Sequence, residues 1–251
     1  MKVSIITVSY NSADTIQDTI KTIYMQTYTN FEHIIIDNNS DDDTAKIVKP
    51  FLNQKSIFIS EPDQGIYDAM NKGIRLAKGD IIGILNADDI YANKDVILDI
   101  IETFEKEKVD CVFGDLVYVR PNNLNQIVRY YRSANFHPKL FAYGWMPAHP
   151  TVFIKRQAYE RYGLFQIDYK IAADYELMIR FLAKHKISYK YIPKVMVKMR
   201  TGGVSTLNWK SNWILNQEII RGCAENDIDT TILKVWSKYF TKVFQLIRRP
   251  K

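Results

Sequence analysis

The run Ile81-Ile82-Gly83-Ile84-Leu85 ends abruptly in Asn86-Ala87-Asp88-Asp89. Apolar, β-branched runs of this length read as strands buried on both faces. Such strands do not normally finish in two adjacent carboxylates, so Asp88 and Asp89 call for a positive partner. Oxygen ligands of this kind suit Mg²⁺ or Mn²⁺, held by one or two carboxylates while the substrate's own phosphates complete the shell. Three other apolar runs end in polar residues: Ser9-Tyr10-Asn11, Asp37-Asn38-Asn39-Ser40 and Glu61-Pro62-Asp63. A single strand-end Asp or Asn can do no more than cap the following helix. Four such ends on one rim point to a binding crevice, and in open α/β sheets ligands sit beyond the carboxyl ends of the strands. Neither GxxxxGK[ST] nor GxGxxG occurs in the chain, so the usual phosphate cradles are missing.

The elements that must position these ends alternate along the first half. Strands are expected at 3–10, 31–37, 56–60 and 80–85, with helices at 15–26, 45–52, 66–77 and 95–107. This order predicts a mostly parallel sheet covered by helices on both faces. The second half differs. Residues 111–119 and 127–131 read as a hairpin around Pro121-Asn122-Asn123-Leu124-Asn125, and 149–154 as a further strand. A helix over 175–184 opens at Asp174, and Pro193 places the mixed stretch 189–199 at a sheet edge. Two helices, 209–225 and 231–247, close the chain. The division expected is a catalytic unit over 1–205, with halves 1–118 and 119–205, followed by a helical extension over 206–251.

Composition narrows the function classes. With 251 residues, 47% hydrophobic and 25% charged, the chain is a soluble globular type, and no run is long enough to span a bilayer. The opening residues lack the features of a signal peptide, and a cytoplasmic location is expected. Cys111 and Cys223 have no CxxC partner, so a disulfide framework or zinc site is not indicated. The net charge is +6, yet six basic residues and no acid lie between Thr230 and Lys251, which leaves a neutral body. That distribution argues against a nucleic-acid partner. Ile232, Trp236, Tyr239, Phe240, Val243 and Ile247 recur at helical spacing in this tail, with Lys234, Lys238 and Lys242 on another face. Such a helix is suited to an anionic membrane interface, giving peripheral attachment, or to packing on the body with its basic face solvated.

Five segments, VSIITVSYNS, HIIIDNNSDDDT, DQGIYDAMNKGIRLAKGD, ILNADD and AADYELMIR, occur in an order and approximate spacing that resemble the family 2 glycosyltransferases with the GT-A fold. The likeness covers about residues 3–205 and is greatest to bacterial enzymes that build surface polysaccharides. It implies a Rossmann-like α/β domain, a nucleoside-diphosphate sugar donor (UDP-linked above all), a saccharide or lipid-linked acceptor, and a Mn²⁺ or Mg²⁺ cofactor.

By position, the resemblance assigns donor binding to Tyr10, Asp37, Asn71, Asn86 and Asp88, and the metal to Asp88 and Asp89. Asn86 stands where the family usually has Asp, and Met70 where many members have Arg, with Lys72 an alternative donor contact. Asp174 matches the catalytic base, with Ala173 in place of a Glu; Asp174 as a simple helix N-cap is the competing reading. Trp145 and His149 are acceptor-side candidates, and Tyr67 and Met146 help set the pocket shape. Arg200-Thr201-Gly202-Gly203-Val204-Ser205 reads as a loop able to close over the diphosphate. The mechanism implied is inversion at the anomeric carbon with one general base. Two rivals are a nucleotidyltransferase, which lacks support because VSYNSADT carries no Gly-rich cationic loop, and a sugar-nucleotide-binding protein without catalysis.

Overall fold

A computed structural model describes residues 1–202 and 209–238. Residues 203–205 of the expected closing loop and residues 239–251 of the tail lie outside the described residues. Nine strands form one sheet: β1 Val3–Ser9, β2 Phe31–Asp37, β3 Ser56–Ser60, β4 Ile81–Ile84, β5 Asp89–Tyr91, β6 Cys111–Arg120, β7 Asn123–Tyr131, β8 Phe153–Lys155 and β9 Tyr189–Arg200. The helices are α1 Ile16–Tyr24, α2 Thr44–Val48, α3 Ile66–Leu76, α4 Val96–Glu107, α5 Arg156–Tyr162, α6 Ala173–Met178 and α7 Trp209–Glu225, with a further helix over 232–238.

The sheet runs β3-β2-β1-β4-β8-β6-β9-β5, and β7 pairs with β6. The first four strands are parallel, as their alternation with helices requires. All seven residues of β1 and of β2 are buried, the signature of strands covered on both faces. One apolar layer gathers Ile6, Ile34, Met70 and Ile74 with residues of α5, α6 and α7. The other gathers Ile5, Ile81 and the inward face of α4, including Val96, Ile97, Ile100 and Phe104. The order 3-2-1-4 reverses at the β1/β4 junction, where doubly wound sheets open their ligand crevice. Tyr10 and Asn11 follow β1, and Asn86 to Asp89 follow β4, so both polar ends flank that junction.

Parallel pairing stops at β8, which runs antiparallel to β4 and β6. Gly83 makes that junction possible: a Cβ there would lie 2.1 Å from the Phe153 ring, so the ring takes the place of a side chain. Within 149–154 the chain is a 3₁₀ turn at His149–Thr151 followed by β8, because Pro150 has no N–H for a ladder. Pro193 falls where the β6–β9 register slips, between Tyr191 opposite Phe113 and Val195 opposite Asp115. β5 pairs with β9 only from Val197 to Met199, so Pro193 sits on the length of β9 that β5 leaves open. The helix expected from Tyr175 begins at Ala173 and turns π-helical over Ile179–Lys184.

The C-terminal helices pack on the catalytic body. Ile219 and Cys223 of α7 and Val235 of the 232–238 helix join the core layer that holds α6. The 232–238 helix is rotated from the apolar and basic faces expected of it. It buries Val235 and Lys238, the latter against Gly144, and leaves Leu233 and Trp236 exposed. Lys238 therefore does not belong to a solvated basic face. Among the described residues no helix is long and apolar enough to cross a membrane.

Candidate active site

The strand ends are stitched to one another before any ligand is considered. Asn38 N–H donates to the Ser9 carbonyl (2.9 Å), and Glu61 N–H to the Asp37 carbonyl (3.0 Å). Asn11, at φ 47° in the left-handed region that Asn tolerates, donates its N–H to Ser40 Oγ (2.9 Å) and accepts from Asp41 N–H (3.0 Å). Asp37 is fully buried. Its Oδ1 accepts from Ser9 Oγ (3.0 Å) and Ser40 Oγ (2.5 Å), and its Oδ2 from Ser60 Oγ (2.7 Å) and Ser40 N–H (3.0 Å). Two bonds per oxygen fill the carboxylate, so Asp37 acts by fixing the rim formed by β1, β2 and β3. Ser9 and Ser60 flank Asp37 in register, a signal visible only once the strands are paired. Tyr10, by contrast, is 57% exposed and presents a free ring at the crevice edge.

Asn71 is also occupied. Its amide exchanges two 2.9 Å bonds with the backbone N–H and carbonyl of Phe165, which ties α3 to that segment. Met70 lies in the core, not at the crevice, and Lys72 is held by Glu61 at 2.8 Å and the Pro62 carbonyl at 2.8 Å.

Asp88 is partly exposed beyond β4, and burial raises its carboxyl pKa above the ordinary range, opposed in part by Arg200. Arg200 is nearly buried at the end of β9. It donates Nη1 to the Asp88 carbonyl (2.6 Å) and Nη2 to Asp18 Oδ2 (2.6 Å). Asp89 opens β5 and is fully buried with neither carboxyl oxygen hydrogen-bonded among the described residues. Burial and the neighbouring Asp88 charge push its pKa well up. Asn86 Oδ1 is buried and unpartnered as well. No three His, Cys, Asp or Glu side chains converge into a complete metal cage among the described residues. The orphan oxygens of Asn86 and Asp89 beside Asp88 nevertheless fit a hard cation whose remaining ligands come from a substrate diphosphate.

Asp174 is the second residue of α6, not its N-cap, which is Ala172. Its Oδ1 accepts the Tyr175 N–H at 2.8 Å. Burial raises its pKa, countered first by His149, while Asp174 in turn opposes the lowering that burial imposes on His149. Tyr67 reaches the same place from α3 and donates its hydroxyl to the Ile171 carbonyl. Tyr118 on β6 pairs with Arg129 on β7, and Tyr131 follows on the same strand. Trp145 packs on Tyr131, with ring centroids 5.8 Å apart, and Tyr131 donates to the Met146 carbonyl (2.7 Å). The arrangement thus has an acidic end at Asp88 and Asp89 and a carboxyl of raised pKa at Asp174. Arg129, whose guanidinium lies 3.9 Å from the Tyr118 ring centroid, has no local sequence signal and was not among the expected site residues.

Comparison with known proteins supports the same picture. The model of "Glycosyl transferase family 2" matches residues 4–163, more than half of the chain. A PGL/p-HBAD biosynthesis glycosyltransferase of Mycobacterium tuberculosis is 29% identical over 223 residues, covering 87% of this chain and 82% of that protein. An uncharacterized glycosyltransferase of the same species is 32% identical over 181 residues, covering 71% of this chain and 68% of the relative. Among solved structures, S. aureus TarS 1–349 in complex with UDP-GlcNAc superposes with a TM-score of 0.70 at 17% identity, over 97% of this chain and 73% of that one. The chain spans 44% of the longer TarS chain. The mannosyltransferase PcManGT of Pyrobaculum calidifontis, in complex with GDP-Man and Mn²⁺, gives 0.66 at 21% identity, over 91% of this chain and 65% of that one. The GT-A architecture, the acidic end of β4 and the matched family model lead to one conclusion: the chain is a glycosyltransferase and belongs to glycosyl transferase family 2.

Proposed function

We propose that this enzyme moves a sugar from a nucleoside-diphosphate sugar to a hydroxyl of a saccharide or lipid-linked saccharide, with inversion of the anomeric centre. The observation that carries the reading is the Asp174 carboxyl in the first turn of α6, partly exposed, with no ion-pair partner among the described residues and a pKa raised by burial. Asp174 takes the proton of the acceptor hydroxyl as that oxygen bonds to the anomeric carbon. The bond from that carbon to the diphosphate breaks, and the nucleoside diphosphate leaves. One base and a single displacement require inversion. His149, whose pKa burial lowers, serves as an acceptor-positioning residue. Tyr10 offers its exposed ring to the nucleotide base, while Asp37 and Asn71 act as positioning residues. Asn86, Asp88 and Asp89 would hold Mn²⁺ or Mg²⁺, whose chemistry is to neutralise charge on the departing diphosphate.

A UDP-sugar is the donor we favour, because a UDP-GlcNAc complex is known for the TarS fold neighbour; the GDP-Man complex of PcManGT makes GDP-sugars the comparison. The relative named for PGL/p-HBAD biosynthesis and the TarS likeness support a role in bacterial surface glycans. We further propose that residues 239–251, with Lys242, Arg248, Arg249 and Lys251, attach the cytoplasmic enzyme to an anionic membrane surface, while α7 and the 232–238 helix belong to the catalytic unit. The test is a panel of UDP- and GDP-sugars with simple glycoside acceptors, in Mn²⁺ and in EDTA, followed by released nucleoside diphosphate and product NMR. Turnover with an inverted product, lost in EDTA, is expected. A retained anomeric configuration would overturn the mechanism, and undiminished turnover in EDTA the metal assignment.

A further inference from the structure

The residue at the N-cap of α6, the helix that carries Asp174, makes no side-chain cap bond. Ala172, at the N-cap of α6, has no side chain able to accept a hydrogen bond, and Ala173 follows it. The acceptor comes from α7. Glu218 Oε1 takes the Lys170 N–H at 2.7 Å, and Oε2 takes the N–H groups of Ile171 and Ala172, each at 2.9 Å. A carboxylate accepting three backbone N–H groups makes charge-assisted bonds, roughly twice as strong as neutral ones. On the opposite edge of the same peptides, Tyr67 donates its hydroxyl to the Ile171 carbonyl. Residues 170–172 are therefore gripped through their N–H groups by α7 and through a carbonyl by α3, and Asp174 follows two residues later. Tyr67 and Glu218 thus both bond the backbone of Ile171. The Tyr67 ring is fixed in turn by stacking on Phe165, at 5.7 Å between centroids, whose backbone Asn71 holds.

We infer that Glu218 is a positioning residue for the base: by gripping the N–H groups of residues 170–172 it sets where the Asp174 carboxyl stands. Within the first turn of α6 Asp174 itself takes the Tyr175 N–H at 2.8 Å, so Glu218 braces the approach to the helix and not its first turn. The inference rests on Asp174 being the base. A displacement of about 1 Å at a reacting group can cost roughly 100-fold in rate, so Glu218 acts on turnover more than on donor binding. Glu218 lies outside the 4–163 segment that the family model matches, so this brace comes from the part of the chain that the family pattern does not describe.

Glu218→Gln, which keeps the side-chain volume, and Glu218→Ala test it on the full chain. Hydrogen exchange should accelerate in the peptide spanning 167–175 and stay unchanged in β1 and β2. Release of UDP from UDP-GlcNAc, or of GDP from GDP-mannose if that is the donor turned over, should show kcat lowered about 10- to 100-fold. The donor KM should stay within about twofold, and the pH at which the acid limb of kcat turns should shift. Combined with Asp174→Asn, either substitution should add less than about twofold, because residues acting as a unit are not additive. Unchanged exchange at 167–175 would overturn the brace. Equal losses in the wild-type and Asp174→Asn backgrounds would show that Glu218 acts on something other than the base. Full activity of Asp174→Asn alone would sink the assignment of the base, a result distinguishable from both.

Discussion

Arg200 Nη1 lies 2.6 Å from the carbonyl oxygen of Asp88, and so holds the backbone of that residue without engaging its carboxylate. The same guanidinium bridges to Asp18 on α1. The acidic turn after β4 is thereby pinned between β9 and α1, and its geometry does not depend on the charge of Asp88.

Asp88→Asn is therefore expected to keep the fold and lose function. The Arg200 bond is to the main chain and survives the substitution. Released nucleoside diphosphate should fall by about 100-fold or more, as is typical when one electrostatic stabiliser of a leaving group is removed. The melting temperature should not fall, because burial already disfavours the Asp88 charge. Activity near the wild-type level would contradict the site.

Arg200→Met should behave differently. It keeps an apolar stem but strips two hydrogen bonds from a nearly buried side chain. Asp18 is 44% exposed, so its share of the loss is screened by solvent. A total cost of about 1–3 kcal/mol is expected, with reduced turnover because the Asp88 turn is no longer fixed. Chemical denaturation of both proteins measures the first effect, and steady-state kinetics the second.

Asp174→Asn should bind nucleotide sugar, detected as a thermal shift, and fail to transfer. In the wild type a base must be deprotonated to act. Burial raises the pKa of Asp174, so kcat should climb as pH rises through a value above the ordinary carboxyl range. A kcat profile flat through that range would remove Asp174 from the proton transfer.

Asp89 gives a prediction about stability. Its folded-state pKa is raised well above its unfolded value, so the native state holds the proton more tightly. Stability from this group is full below the unfolded pKa and is lost as pH rises through the folded one. Asp89→Asn should therefore raise the melting temperature at pH 7.5 and make little difference near pH 3.5, measured without metal. A change of about 1 kcal/mol moves the midpoint by roughly 2–4 °C in a chain of this size. Metal-dependent turnover should decline in the same variant, the usual exchange of function for stability.

The tail is tested by two truncations. A chain ending at Asp229 loses Val235 from the core and the Thr230 bond to the Ala142 carbonyl, so its melting temperature should drop by several degrees. A chain ending at Lys238 should melt like the full protein but no longer co-sediment with anionic vesicles at low salt. Vesicle binding by the shorter chain equal to that of the full one would dismiss 239–251 as the anchor.

Much of the donor half was legible because its information is local. Four apolar runs, their polar ends and the intervening helical periodicities place β1 to β4 and the acidic rim within a residue or two. The acceptor half resisted for a physical reason: its elements are fixed by partners far away in sequence. β5 is three residues long and exists only through pairing with β9. The backbone leading to Asp174 is fixed by Glu218, which takes the Ala172 N–H from 46 residues away. The hydroxyls of Ser9 and Ser60 meet Asp37 only through strand register, which local sequence does not display. The tail helix has the period expected, but tertiary packing chose Val235 and Lys238 over Trp236 for burial, a choice that amphipathic spacing alone does not make.

The pairing of β5 with β9 also sets the order in which the enzyme becomes an enzyme. Arg200 meets Asp88 across 112 residues of chain, and Asp18 across 182. Contacts of such separation form late, because the entropy of closing the loop must be met before they contribute anything. On the ribosome, where chains emerge at about 5–20 residues per second, the parallel half is exposed for several seconds before β9 arrives. During that interval Asp88 and Asp89 sit at the end of β4 with no brace. The crevice is thus a late product of folding, completed from the C-terminal side.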